Sequence, residues 1–109
     1  MNYRFIFEAD FKKAFKRLLK KYPSIITDFE QITNNIENEL LLADDLGNGF
    51  KKIRINIKSK GKGSSGGGRI ITYEVILTAN DTDLLFAIIY DKSEYSTIDL
   101  EIVKNNLGL

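Results

Sequence analysis

Between Phe50 and Tyr73 stand seven basic side chains and no acidic one: Lys51, Lys52, Arg54, Lys58, Lys60, Lys62 and Arg69. Cations at this density neutralise phosphates, and the glycines Gly61, Gly63, Gly66, Gly67 and Gly68 allow backbone amides to approach an anion closely. A face built only for solubility interleaves both signs, so the acid-free stretch points to the backbone of a nucleic acid. The plainer reading of the same residues is a soluble strand and an ordinary loop. A nucleotide-binding loop is excluded, because no G-K-[ST] and no helix follow the glycines. A second group, Tyr90-Asp91-Lys92-Ser93-Glu94, closes an apolar run; taken alone it is a strand end carrying a Lys–Glu pair. The chain has no histidine and no cysteine, which removes the commonest general base, any thiol nucleophile and any Cys/His metal centre. Catalysis, if present, runs on Lys, Arg, Tyr, Asp or Glu, and no cofactor is expected.

The net charge of +1 hides a blocked distribution. Residues 1–23 hold seven bases and two acids, 24–49 six acids and no base, and 74–109 two bases and seven acids. Patches of one sign steer association with charged partners, so net charge alone conceals the feature that matters. The 109 residues, 43% apolar and 28% charged, suit one globular domain spanning 1–109 with a modest core and a shallow site. No secretory h-region opens the chain and no apolar run approaches the ~18 residues of a membrane span, so the expectation is a cytoplasmic protein with no membrane partner.

The elements that must position these residues follow from periodicity. Tyr3, Phe5 and Phe7 alternate with polar neighbours as in a short strand. Phe11, Ala14, Phe15, Leu18, Leu19 and Tyr22 recur at helical spacing, with Asp10 as N-cap and Pro23 as terminator. Ser24 opens a second helix carrying Ile25, Phe29, Ile32, Ile36 and Leu40, which makes an antiparallel helix hairpin, and Ala43 to Gly49 closes this half as a turn. In Lys51 to Lys58, Ile53, Ile55 and Ile57 face the core while Lys52, Arg54 and Lys58 share the other face. Lys60 to Gly68 reads as a mobile loop. Arg69 to Leu77 and Leu84 to Tyr90 form further strands around an Ala79-Asn80-Asp81 turn, and Ser96 to Leu107 a short C-terminal helix. The predicted fold is a two-layer α+β domain: a helix hairpin on one face of an antiparallel sheet, the basic face left open.

Three segments in this order resemble the RelE/HigB toxins of bacterial type II toxin-antitoxin systems, within the RelE/ParE superfamily. They are L-G-N-G-F-K-K-I-R at Leu46 to Arg54, K-G-K-G-S-S-G-G-G-R-I-I-T-Y at Lys60 to Tyr73, and L-L-F-A-I-I-Y-D-K-S-E at Leu84 to Glu94. The family reads R-K-I-R, K-S-G-G-x-R-V-I-Y and Y-x-K-x-E at these places, and this chain departs from it in a longer glycine loop. The resemblance implies a RelE-like fold and a ribosome-dependent endoribonuclease, an mRNA interferase cutting translated mRNA in the A site by attack of the 2′-hydroxyl on the adjacent phosphate. It implies as partners the ribosome, mRNA and a co-encoded antitoxin with a helix-turn-helix. It gives Arg69 the scissile phosphate, Lys92 a proton-donor or second-cation role, Lys60 or Lys62 the base, and Tyr90 or Tyr73 a stacking role. Glu94 would orient Lys92 or act as base, and Lys52, Arg54 and Lys58 would hold RNA. Two alternatives stand beside it: a ParE-like poison of DNA gyrase, which shares the scaffold, and a non-catalytic RNA- or ribosome-binding module.

Overall fold

The computed structural model describes residues 1–61, 67–95 and 97–109. The element order is β1 (Asn2–Phe7), α1 (Ala9–Lys21), α2 (Ile25–Asn34), α3 (Ile36–Leu42), β2 (Asp44–Gly47), β3 (Phe50–Ile55), β4 (Gly68–Ile76), β5 (Asp81–Asp91) and α4 (Leu100–Asn106), with a 3₁₀ turn at Lys58–Lys60. The α+β class is as expected. The sheet is mixed rather than antiparallel, in the order β1-β5-β4-β3-β2, because β1 pairs parallel with β5 from Asn2↔Asp81 to Phe7↔Phe86. That register lays the Phe5 and Phe7 rings against Phe86, a demand of packing that six alternating residues do not reveal. No described helix is long and apolar enough to cross a membrane.

One apolar core lies between the sheet and helices α1 to α3. It joins Phe11, Leu18 and Tyr22 of α1, Ile25 and Ile32 of α2, and Ile36 and Leu40 of α3 to Ile53, Ile55, Ile70, Leu84, Phe86 and Ile89 of the sheet, with Ile57 just past β3. The single helix expected after Ser24 is two, broken at Asn35, whose φ of −126° and ψ of 35° leave the helical region. Helix α1 begins one residue before Asp10, so Asp10 lies in the first turn and favours its positive end instead of capping it.

The opposite face is not open. Phe50, Ile71, Ala87 and Tyr90 form a second core there with Val103 of α4, so the C-terminal helix covers part of the sheet. Asp99 caps that helix by accepting from the Glu101 amide at 2.9 Å, and Ser96, where the helix was expected to begin, lies outside the described residues. The turn expected at Ala43 to Gly49 contains a short strand: Asp44 and Asp45 pair with Lys52 and Lys51 through a hairpin whose Asn48 and Gly49 both have positive φ, 54° and 88°. Asn-Gly suits that turn, whereas Asp-Asp-Leu-Gly has no strand propensity of its own and is held extended by β3.

Phe86 is fully buried, with ring centroids of Phe5, Phe7, Phe11 and Phe29 between 5.1 and 5.6 Å away. Phe86→Ala is therefore expected to cost about 3–5 kcal/mol in urea unfolding. Ile76→Ala, at the exposed end of β4, should stay within about 0.5 kcal/mol of the parent.

Candidate nucleic-acid interface

The sheet register decides which of the expected residues meet. Arg54 of β3 stands directly opposite Arg69 of β4, and Arg69 opposite Tyr90 of β5, so the three make one row across the outer face. Asp44, Lys52, Ile71 and Ile88 form the row beside it. Like charges directly opposed on neighbouring strands repel. Arg69 is also only 5% exposed, because β4 is flanked by strands on both sides; the expectation that it lies open is wrong. One of its N–H groups donates to the Gly68 carbonyl at 2.8 Å. Burial, then the Arg54 charge, lower the Arg69 pKa, while Tyr90 and Asp44 act the other way. Burial raises the Tyr90 phenol against the opposing pull of Arg69, so it keeps its proton at neutral pH. Asp44 was read as turn; β2 brings it beside the basic stretch and so supplies an acid that composition had missed.

Lys60 does not face a phosphate. Its ammonium is 6% exposed and paired at 2.5 Å with Asp91, whose carboxylate is wholly buried. Asp91 also accepts from the Tyr22 hydroxyl at 2.7 Å and from the Ser93 amide and hydroxyl at 2.9 and 2.7 Å. Burial alone would raise the Asp91 pKa, but the hydrogen bonds from Lys60, Tyr22 and Ser93 hold it far below the ordinary carboxylate range. This anchor was missed because Asp91 read as a spacer between Tyr90 and Lys92. The available signal was Ser93 two residues on, the spacing of an Asx-turn.

Glu94 does not orient Lys92. Its two oxygens each accept from Arg17 of α1 at 3.1 Å, a contact across 77 residues. Lys92 is exposed just past the end of β5, and its amide donates to the Gly67 carbonyl at 3.1 Å. Lys58 leaves the row of Lys52 and Arg54, because β3 ends at Ile55 and Lys58 sits in the 3₁₀ turn, its amide donating to Asp28 Oδ2 at 3.1 Å. Neither tyrosine expected to stack on a base offers an open ring: Tyr90 is 2% exposed in the second core, and Tyr73 packs against Phe50 at 4.6 Å. Lys62, and with it most of the glycine loop, lies outside the described residues. The structure thus assembles Arg54, Arg69 and Tyr90, with Lys52 in the adjoining row and Lys92 at the strand end, and withdraws Lys60 and Glu94 into ion pairs. No family model matches the chain, and no curated protein is significantly similar to it.

Removing the Asp91 charge strands the Lys60 ammonium, so Asp91→Asn is expected to cost about 3–5 kcal/mol at neutral pH. A carboxyl whose folded pKa is depressed contributes stability above its unfolded pKa of about 3.9 and loses it as pH falls. The gap between parent and variant in urea unfolding should therefore narrow steadily below about pH 4.

Proposed function

We propose that this chain is a RelE/HigB-like endoribonuclease toxin that cuts translated mRNA by attack of a ribose 2′-hydroxyl on the adjacent phosphorus. The observation that carries the reading is the direct opposition of Arg54 and Arg69 next to Tyr90. Two guanidiniums held against their own repulsion form a site whose electrostatics improve when an anion enters. In that reaction negative charge grows on the phosphoryl oxygens, and cations already fixed there need no reorganisation. Arg69 is the positioned cation and Arg54 the exposed one that first meets the backbone. Tyr90, buried in the second core, closes the row beside Arg69 and is given no contact with RNA. Lys92 supplies a proton to the departing 5′-oxygen, which leaves a cyclic phosphate on the other fragment. The base is assigned to Lys62 by the resemblance, since Lys60 is engaged by Asp91. The RelE-like fold, a cytoplasmic location, and the ribosome and an antitoxin as partners belong to the same proposal.

One observation favours the second reading, a ParE-like gyrase poison. Of the seven bases from Phe50 to Tyr73, Lys60 is paired with Asp91 and Lys58 leaves the row of Lys52 and Arg54, so the basic face is weaker than composition suggests. Inhibition of supercoiling by purified gyrase, with messages left intact, would select it.

Induced expression should arrest growth, with primer extension mapping cuts inside translated codons; normal growth with intact messages overturns the proposal. Arg54→Ala, at an exposed position, should lower cleavage about 10²-fold with unchanged thermal unfolding. Arg69→Lys, which keeps charge but loses the planar fork, should fall by a similar factor.

A further inference from the structure

The parallel ladder between β1 and β5 stops at Phe7↔Phe86, but β5 runs on to Asp91. Among the described residues no strand lies beside Ala87–Asp91 on that side, since the chain turns away at Glu8 into α1. From Ala87 to Tyr90 the edge is not blunted by proline or by a charged side chain, two of the usual protections of a free strand edge. It lies instead at the bottom of a slot. One wall is the face of α1 carrying Lys13, Ala14 and Arg17, and the other is Tyr95, Ile98 and α4 on the opposite side of the sheet. Two adjoining cavities of about 350 and 480 Å³ meet at Asp10, Ile88 and Ile98.

The slot has defined ends. Asn106 Nδ2 donates to Asp10 Oδ2 at 3.1 Å at one end, and Arg17 grips Glu94 at the other. Asp10 and Arg17 are seven residues apart on a helix that rises 1.5 Å per residue, so the opening is roughly 10 Å long, about three residues of extended chain. A strand laid against Ile88–Tyr90 would point alternate side chains to the two walls. Those turned to α1 meet Lys13 and Arg17, with Glu8 and Asp10 toward one end, and those turned the other way meet Ile98 and the half-exposed Tyr95 ring. The Arg17–Glu94 pair shows that the first wall already accepts a carboxylate.

We propose that this slot is a strand-addition site for an extended partner segment in which acidic and apolar residues alternate. Main-chain hydrogen bonds to the free edge of β5 hold the segment, and the two walls set its alternation. The slot contains none of Arg54, Arg69 and Lys92, and a peptide titration reads it whether or not the chain cuts RNA.

The probe is acetyl-Asp-Val-Asp-Val-Asp-amide, titrated into the full chain with hydrogen exchange followed at Ala87 to Tyr90. The expected result is saturable protection of the alternate amides in that run that point away from β4. N-methylation of one alternate set of peptide amides should weaken binding at least about tenfold, and methylation of the other set should leave it within about twofold, because only one set faces the edge. Lys13→Glu, at an exposed position, should weaken binding about tenfold and leave the unfolding midpoint unchanged. Equal effects of the two methylation sets, no saturable protection at millimolar peptide, or protection by a short oligoribonucleotide in place of the peptide would each overturn the proposal.

Discussion

A carboxylate with no exposed surface at the end of β5 has to be matched from inside the protein, and the groups that match Asp91 come from widely separated places. Tyr22 ends the α1 segment, Lys60 closes the 3₁₀ turn after β3, and Ser93 follows in the same chain turn. The contact therefore pins the helix hairpin, the exit of β3 and the exit of β5 to one point. Beside it, Ser24 and Ser59 hydroxyls meet at 2.6 Å, and Ser24 donates to Asp28, which also receives the Lys58 amide. A buried ion pair adds little net stability once desolvation is counted. What it supplies is position. With the strand exits fixed, Arg54, Arg69 and Tyr90 are held in one row, and Lys92 is placed where that row ends. Asp28 is left with one buried oxygen that has no partner among the described residues, so this corner is not optimised for stability.

Long, uninterrupted periodicity was readable because it needs only one partner surface. The stripe Phe11 to Tyr22 and the alternation of Ile53, Ile55 and Ile57 each face the same core, and each lies where the pattern places it. Features that depend on a second element were not readable. The strand Asp44–Gly47 is imposed by β3 on residues with turn chemistry, the break at Asn35 interrupts a stripe that continues across it, and the parallel pairing of β1 is chosen by the aromatic cluster around Phe86. The second core under α4 was hidden because Ile71, Ala87 and Tyr90 sit in runs apolar on both faces, which cannot say which face is covered.

The same distinction separates the site residues. Their identities were legible from motif and charge, and so was the membership of Lys52 and Arg54 on one face. The roles of Lys60 and Glu94 were not, because the partner of a charged side chain is a long-range fact: Asp91 lies 31 residues from Lys60, and Arg17 77 residues from Glu94. Sequence neighbours suggested Lys92 for Glu94. The fold gives Glu94 to α1 and leaves Lys92 in solvent.

The acid-free stretch from Phe50 to Tyr73 is thus not an acid-free surface. Lys51 meets Glu74, Lys52 faces Asp44, and Lys60 meets Asp91, so the sheet and its loops balance much of the block with acids from three other segments. Within those surroundings Arg54 and Arg69 oppose each other across one row, and the Arg54 charge acts on Arg69. Burial is the larger cause of the lowered Arg69 pKa, with the Arg54 charge second and Asp44 acting against both. Packing could have been served at lower electrostatic cost by an apolar residue at 69, as at Ile71 on the same strand face. A fold that sets two arginines opposite one another in a protected row concentrates positive charge there. That concentration, rather than the number of lysines, separates a candidate phosphate site from a soluble strand.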